Sequence, residues 1–314
     1  MPQGKGKGKS EWKTGRISRF NGGEGRSAVL KRRIAAGIMI ITGALFILGM
    51  GSGKPEKIPE EVSFEIKLLL DPDAVLDGDG LFTEEFREML GIEDEYRPID
   101  VAYLETPDRG FADEGWINRL RWKSGKKKAE RVYKKRYHVA DGDIAEAMAA
   151  AAKDGLEPGD ERYSAQIDWQ YSGMELSFSC ERTGKYKDYT GLDRFSLKDA
   201  ADFMLEEMPG EELDWKTAGW GKKLMERAHM AGPVRFLRAK GTWEDIGLKA
   251  EIWPLPDNGS EDGEICICEL SAEFDDLASA SGARKRLMKY LDENGVLLHE
   301  EGMKTRIILD KYLR

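Results

Sequence analysis

Residues able to grip an anion recur at every second position of Trp116–Lys123 (WINRLRWK), where Arg119, Arg121 and Lys123 alternate with apolar or neutral neighbours. In an extended strand successive side chains point to opposite faces, so this spacing sends two guanidinium groups and an ammonium out of one side. Such a row suits phosphate oxygens, which charged donors bind through short hydrogen bonds. Glu130–Tyr137 (ERVYKKRY) repeats the theme, with Lys134 and Arg136 on the face of Val132, and Arg131, Tyr133 and Lys135 on the other. Acidic groups follow the same rule. Val62–Leu70 (VSFEIKLLL) sets Ser63, Glu65 and Lys67 against Phe64, Ile66, Leu68 and Leu70. In Glu264–Phe274, Ile267, Glu269, Ser271 and Glu273 share a face, and Cys266, Cys268 and Leu270 take the opposite one.

The elements that must position these groups are mostly strands. Further strands are predicted at Ile99–Glu105, Ala165–Tyr171, Glu175–Arg182, Val234–Lys240 and Leu248–Trp253. Helices are predicted at Phe82–Leu90, Ile144–Asp154, Leu197–Glu207, Lys222–His229 and Leu277–Asn294, the last stopped by Gly295. Strands with one charged and one apolar face suggest a barrel with a polar lumen and helices packed on its apolar outside. A half-buried sheet with its charged face in water has the same alternation.

The charge of the 314-residue chain, −9, is a sum over unlike parts. Residues 1–33 carry ten basic and two acidic side chains, are rich in Gly and Ser, and are expected to be a disordered tail. Ile34 to Gly51 contains no charge, and at about 1.5 Å per residue it makes a helix of roughly 27 Å, near the thickness of a bilayer core. The expectation is one transmembrane anchor over residues 34–53, with residues 1–33 cytoplasmic and 54–314 a folded extracytoplasmic domain. A cleaved signal peptide is the rival reading, opposed by the long leader and the missing A-x-A site. Residues 54–314 sum to −17, yet residues 119–136 are +9 within them. That segregation points to a polyanion site, while Lys126–Lys128 sit in a turn and read as solvated. The acidic balance argues against nucleic acid as a partner.

The runs SFEIKLLLD (Ser63–Asp71), VAYLETPDRGFADEGWINRLRWK (Val101–Lys123) and RVYKKRY (Arg131–Tyr137) resemble the CYTH group of triphosphate tunnel enzymes. PVRFLRAKGTWEDIGLKAEIWPL (Pro233–Leu255) and EICICELSAEF (Glu264–Phe274) continue the likeness in order. The resemblance implies an α+β domain whose centre is an antiparallel eight-stranded β-barrel, a tunnel with flanking helices. It further implies that Arg119, Arg121, Lys134 or Arg136, and Arg238 contact phosphates. Glu65 and Lys67 would be catalytic, and Glu65, Glu269 and Glu273 would hold Mg2+ or Mn2+. Two positions depart from the family pattern: the first glutamate of E-x-E-x-K is Ser63, and the late E-x-E reads Glu269-Leu270-Ser271, with Glu273 on the same face.

The implied function is a membrane-anchored barrel that binds a triphosphate, polyphosphate or other polyanion and hydrolyses it with metal. The alternative is a catalytically silent barrel serving as a ligand-binding or cell-envelope interaction module. Asp73–Glu84 (DAVLDGDGLFTE) partly fits a calcium loop, but Val75 and Gly80 break the ligand pattern and favour an Asp/Gly turn. Three cysteines, Cys180, Cys266 and Cys268, show no zinc spacing, and no G-x-S-x-G nucleophile motif is present.

Overall fold

The computed structural model describes residues 58–256, 264–301 and 304–313. The basic tail and the apolar run expected to anchor the chain lie outside the described residues. Among the described residues no helix is long and apolar enough to cross a membrane.

Nine strands close into a barrel: β1 (Val62–Leu70), β2 (Arg97–Glu105), β3 (Trp116–Lys123), β4 (Ala129–Val139), β5 (Ser164–Trp169), β6 (Met174–Gly184), β7 (His229–Trp243), β8 (Ile246–Pro256) and β9 (Glu264–Phe274). Their order around the barrel is β1-β5-β6-β4-β3-β2-β7-β8-β9. The expected eight antiparallel strands are therefore corrected to nine in a mixed sheet. Parity supplies the reason: an odd ring cannot alternate direction throughout, so one junction must be parallel. That junction is β1 with β5, in register from Val62 opposite Ala165 to Ile66 opposite Trp169.

Alternation reads directly as inside and outside. In β1, Val62, Phe64, Ile66 and Leu68 are buried on the outer face, while Ser63, Glu65 and Lys67 line the interior. The outer face is covered by helices α1 (Pro72–Val75), α2 (Glu84–Leu90), α3 (Ile144–Lys153), α4 (Leu197–Leu205), α5 (Gly210–Leu213), α6 (Trp220–Met225) and α7 (Leu277–Glu293). Trp116, Leu120, Trp122, Tyr133 and Phe178 from the strands pack there with Phe203 and Met204 of α4 and Ala280 of α7. Each fully buried side chain of this size contributes roughly 1.5–3 kcal/mol relative to exposure. Helix starts follow capping chemistry: Ser196 and Asp199 form a capping box on α4, and Asp276 accepts the Ser279 N–H at the start of α7.

Two features build one end of the barrel, where β1, β2 and β8 finish. Between β2 and β3 the chain turns around Glu105, whose buried carboxylate accepts backbone N–H groups of Thr106, Phe111 and Ala112 at 2.6, 3.1 and 2.7 Å. Gly115 then enters β3 at φ 73°, and a Cβ there would stand 2.7 Å from the Arg136 carbonyl oxygen. At the end where β1 and β8 finish lies α8 (Lys304–Tyr312), a helix without a sequence-based expectation. Its Ile308 and Leu309 join Leu69, Trp253, Leu255 and Ile267 in one apolar cluster, which closes that end. Separately, the Asp/Gly segment forms a turn in which the Asp77 carboxylate accepts N–H groups of Asp79 and Leu81 at 2.9 and 3.1 Å.

Candidate functional site

The interior of the barrel holds a cavity of about 410 Å³. It is lined by Glu65, Lys67, Arg119, Arg121, Lys134, Arg136, Arg238, Glu269 and Glu273, so every site residue expected from the sequence faces one lumen. Exposure gives the direction of the cavity. Glu273, paired with Lys249 at 2.6 Å, is 52% exposed and marks the mouth, whereas Glu251 and Glu269 are each 5% exposed and mark the closed end.

Between these ends the charges interlock. Asp168 on β5 is 2% exposed and accepts from Lys67 at 2.7 Å through one oxygen and from Lys134 at 3.0 Å through the other. Lys67 also meets Glu65 at 2.8 Å. Arg121 pairs with Glu130 and, at 3.2 Å, with Glu181. Arg136 faces Glu175 at 3.4 Å, and Arg238 grips one oxygen of Glu251 through Nε at 2.8 Å and its terminal nitrogen at 2.6 Å. Arg119 differs: among the described residues it makes no ion pair, and its buried Nε has no hydrogen-bond partner.

The two lysines on Asp168 are not equivalent. Burial pulls the Lys67 ammonium down, but Asp168, Glu65 and Glu269 together outweigh it and hold the pKa above the ordinary lysine value. Burial also acts on Lys134, and there the repulsion of Lys67 and Arg136 helps it against Asp168 alone, leaving the group at about 8. Asp168 itself is held far below the usual carboxylate range: burial resists ionisation, but Lys134, Lys67 and Arg136 overcome it. Burial and the adjacent Arg119 charge lower Arg121. Crowded cations of this kind are relieved by an anion.

The lumen includes residues that the sequence reading did not single out. Asp168 and Glu251 lie on strands that were expected, and alternation alone could have marked them. Gln166, Asp168 and Gln170 oppose Ala165, Ile167 and Trp169, while Lys249, Glu251 and Trp253 form the inner row of β8. Lys304 had no such signal, because its helix follows the last strand by 30 residues and reaches the lumen only by tertiary packing.

The metal role proposed for Glu65, Glu269 and Glu273 meets a chemical obstacle. Each of the three carboxylates is bonded to a lysine: Lys67, Lys304 and Lys249 respectively. Among the described residues no group of three or more His, Cys, Asp and Glu side chains is placed to hold a metal ion. Ser63 and Ser271, which stand where the family pattern has glutamates, also face the lumen and add hydroxyls in place of carboxylates. Cys180 and Cys268 are free thiols, and β6, which bears Cys180, borders neither β8 nor β9.

No protein-family model matches the sequence, and no curated protein matches it. Solved structures give weaker likenesses. A candidate adenylyl cyclase from Hippeastrum, described as having a dominant triphosphatase activity, is 15% identical with a TM-score of 0.47, covering 78% of this chain and 94% of its own. A candidate adenylate cyclase from Bacillus halodurans is 13% identical with a TM-score of 0.42, covering 78% and 97%. The PH1819 protein of Pyrococcus horikoshii is 14% identical with a TM-score of 0.39, covering 79% and 99%. At these scores the functional reading rests on the geometry of the lumen.

Proposed function

We propose that the barrel binds a triphosphate, polyphosphate or similar polyanion in its lumen. Arg119 carries this reading. A guanidinium with a buried, unpartnered Nε on the inner wall is stabilised when an anion supplies the missing acceptor. The wider balance agrees, since eight cationic side chains line the cavity against six carboxylates. Phosphate oxygens can accept from Arg119, Lys134 and Arg136 together, and a bound anion offsets the burial, and the repulsion from Lys67 and Arg136, that hold Lys134 near 8. The acidic balance of residues 54–314 weighs against nucleic acid as the partner.

Hydrolysis is the second reading. It draws on the pairing of Glu65 directly opposite Glu273 across β1 and β9, which brings two carboxylates to the same level of the wall near the mouth. In that reading Glu65 and Lys67 act on the bound phosphate. Membrane attachment through residues 34–53, with the barrel outside the cytoplasm, belongs to the same proposal, and digestion of intact cells by an external protease tests it.

Calorimetric titration of the full-length chain with tripolyphosphate tests the binding site. Arg119→Ala is expected to weaken binding by about tenfold or more, as loss of a charged hydrogen bond costs about 1.5–3 kcal/mol. Equal affinities would sink the assignment. Phosphate release with Mg2+ or Mn2+, abolished by Glu65→Gln, would establish turnover; binding without release would establish the silent module.

A further inference from the structure

The closed end of the lumen is built around a cation that belongs to the chain. Glu251 and Glu269 stand directly opposite each other on β8 and β9. The Lys304 ammonium, carried in by the first residue of α8, bonds to Glu251 and lies 2.6 Å from Glu269. It also sits 4.6 Å from the centre of the Trp253 ring. Both oxygens of Glu251 are already used: one takes the two Arg238 donors, and the other takes Lys304 and, at 2.8 Å, the Trp253 indole N–H.

We propose that Lys304 is a tethered cation occupying the deep carboxylate seat of the lumen, in the place where a divalent metal would otherwise sit. Three observations support it. Two facing buried carboxylates demand a positive charge between them, and Lys304 supplies one. The remaining wall of the seat is an aromatic face, which favours an ammonium and offers nothing to Mg2+, an ion that requires a full octahedron of oxygens. The ammonium is anchored, because Ile308 and Leu309 of the same helix are buried in the apolar cluster that closes the barrel. The lumen therefore keeps its positive charge at this end without recruiting a metal. Together with the anion-binding reading, on which this corollary rests, that makes polyanion binding independent of divalent cations at the deep seat.

Manganese titration of the full-length chain, followed by loss of the free-ion paramagnetic resonance signal, tests the assignment without relying on turnover. The wild-type chain is expected to show no Mn2+ site that depends on Glu269. Lys304→Met keeps an apolar stem over Trp253 and should open one at least about tenfold tighter, lost again when Glu269→Gln is added. Wild-type binding of Mn2+ that Glu269→Gln removes would overturn the proposal, and this measurement needs no altered helix. A folded Lys304→Met chain that gains no Mn2+ affinity would overturn it as well. Tripolyphosphate titration with chelator in place of Mg2+ completes the test. Equal affinity is expected, and binding that vanishes with chelator contradicts the tethered cation. Absence of tripolyphosphate binding in both conditions would refute the polyanion reading while leaving the manganese result to decide the seat.

Discussion

At the scale of single residues, the lumen sorts its lysines by how many carboxylates each can see. Burial lowers both, but Lys67 has several carboxylates and stays charged, while Lys134 shares one carboxylate with another ammonium and a guanidinium and falls to about 8. The sign of the consequence follows. Below pH 8 Lys134 is charged before the anion arrives; above it, binding must first recover a proton. Tripolyphosphate affinity is therefore expected to fall as pH rises through 8, by up to about tenfold per unit, and Lys134→Met should flatten the profile over that interval. Titrations across the range from pH 7 to about 9.5 would read this. The positions of Arg119, Arg121, Lys134 and Arg136 were legible from period-2 alternation. Their unequal pairing was not: that of Lys134 depends on Asp168, on a strand four places after β1 in sequence order and beside it in the barrel.

At the scale of elements, the β2–β3 corner places the basic strand. Three backbone N–H groups converge on Glu105, and burial raises the pKa of that carboxyl even though all three bonds favour its charge. Glu105→Ala would leave these donors without an acceptor and is expected to destabilise the fold by on the order of 3 kcal/mol or more. Glu105→Gln, which retains one acceptor oxygen, should lose less. Denaturant unfolding of both variants measures it, and a cost below about 1 kcal/mol for the alanine would show that the corner stands without the carboxylate. The strands themselves were readable because a half-buried strand writes its two environments in alternation; β1, β3 and β9 have the bounds expected of them. Helix α8 was not, since only two of its nine residues, Ile308 and Leu309, are buried, and its first residue, Lys304, points into the lumen.

At the scale of the molecule, the barrel encloses its charge and buries its apolar side chains outward, beneath the helices. A ligand bound only by this closed form should stabilise it by mass action. At a hundred times its dissociation constant tripolyphosphate is expected to add about 2.7 kcal/mol, raising the unfolding midpoint by roughly 5–11 °C for a domain of this size. Thermal unfolding with and without the anion checks this, and no shift at saturating anion would show that the lumen stays empty.

The sequence by itself determined which side chains share a face, because a strand's period of two is a local property of the backbone. It thereby determined strands with one charged and one apolar face, nine of them, one more than the family resemblance implies; that the charged face is the interior came only with closure. Closure decided the rest. Ring order brought β5 beside β1 as the one parallel pair, set Asp168 between two lysines, and opposed Glu251 to Glu269. It also delivered Lys304 from the far end of the chain to fill their seat. Those are long-range pairings, and alternation along one strand contains no information about which strand will lie next to it.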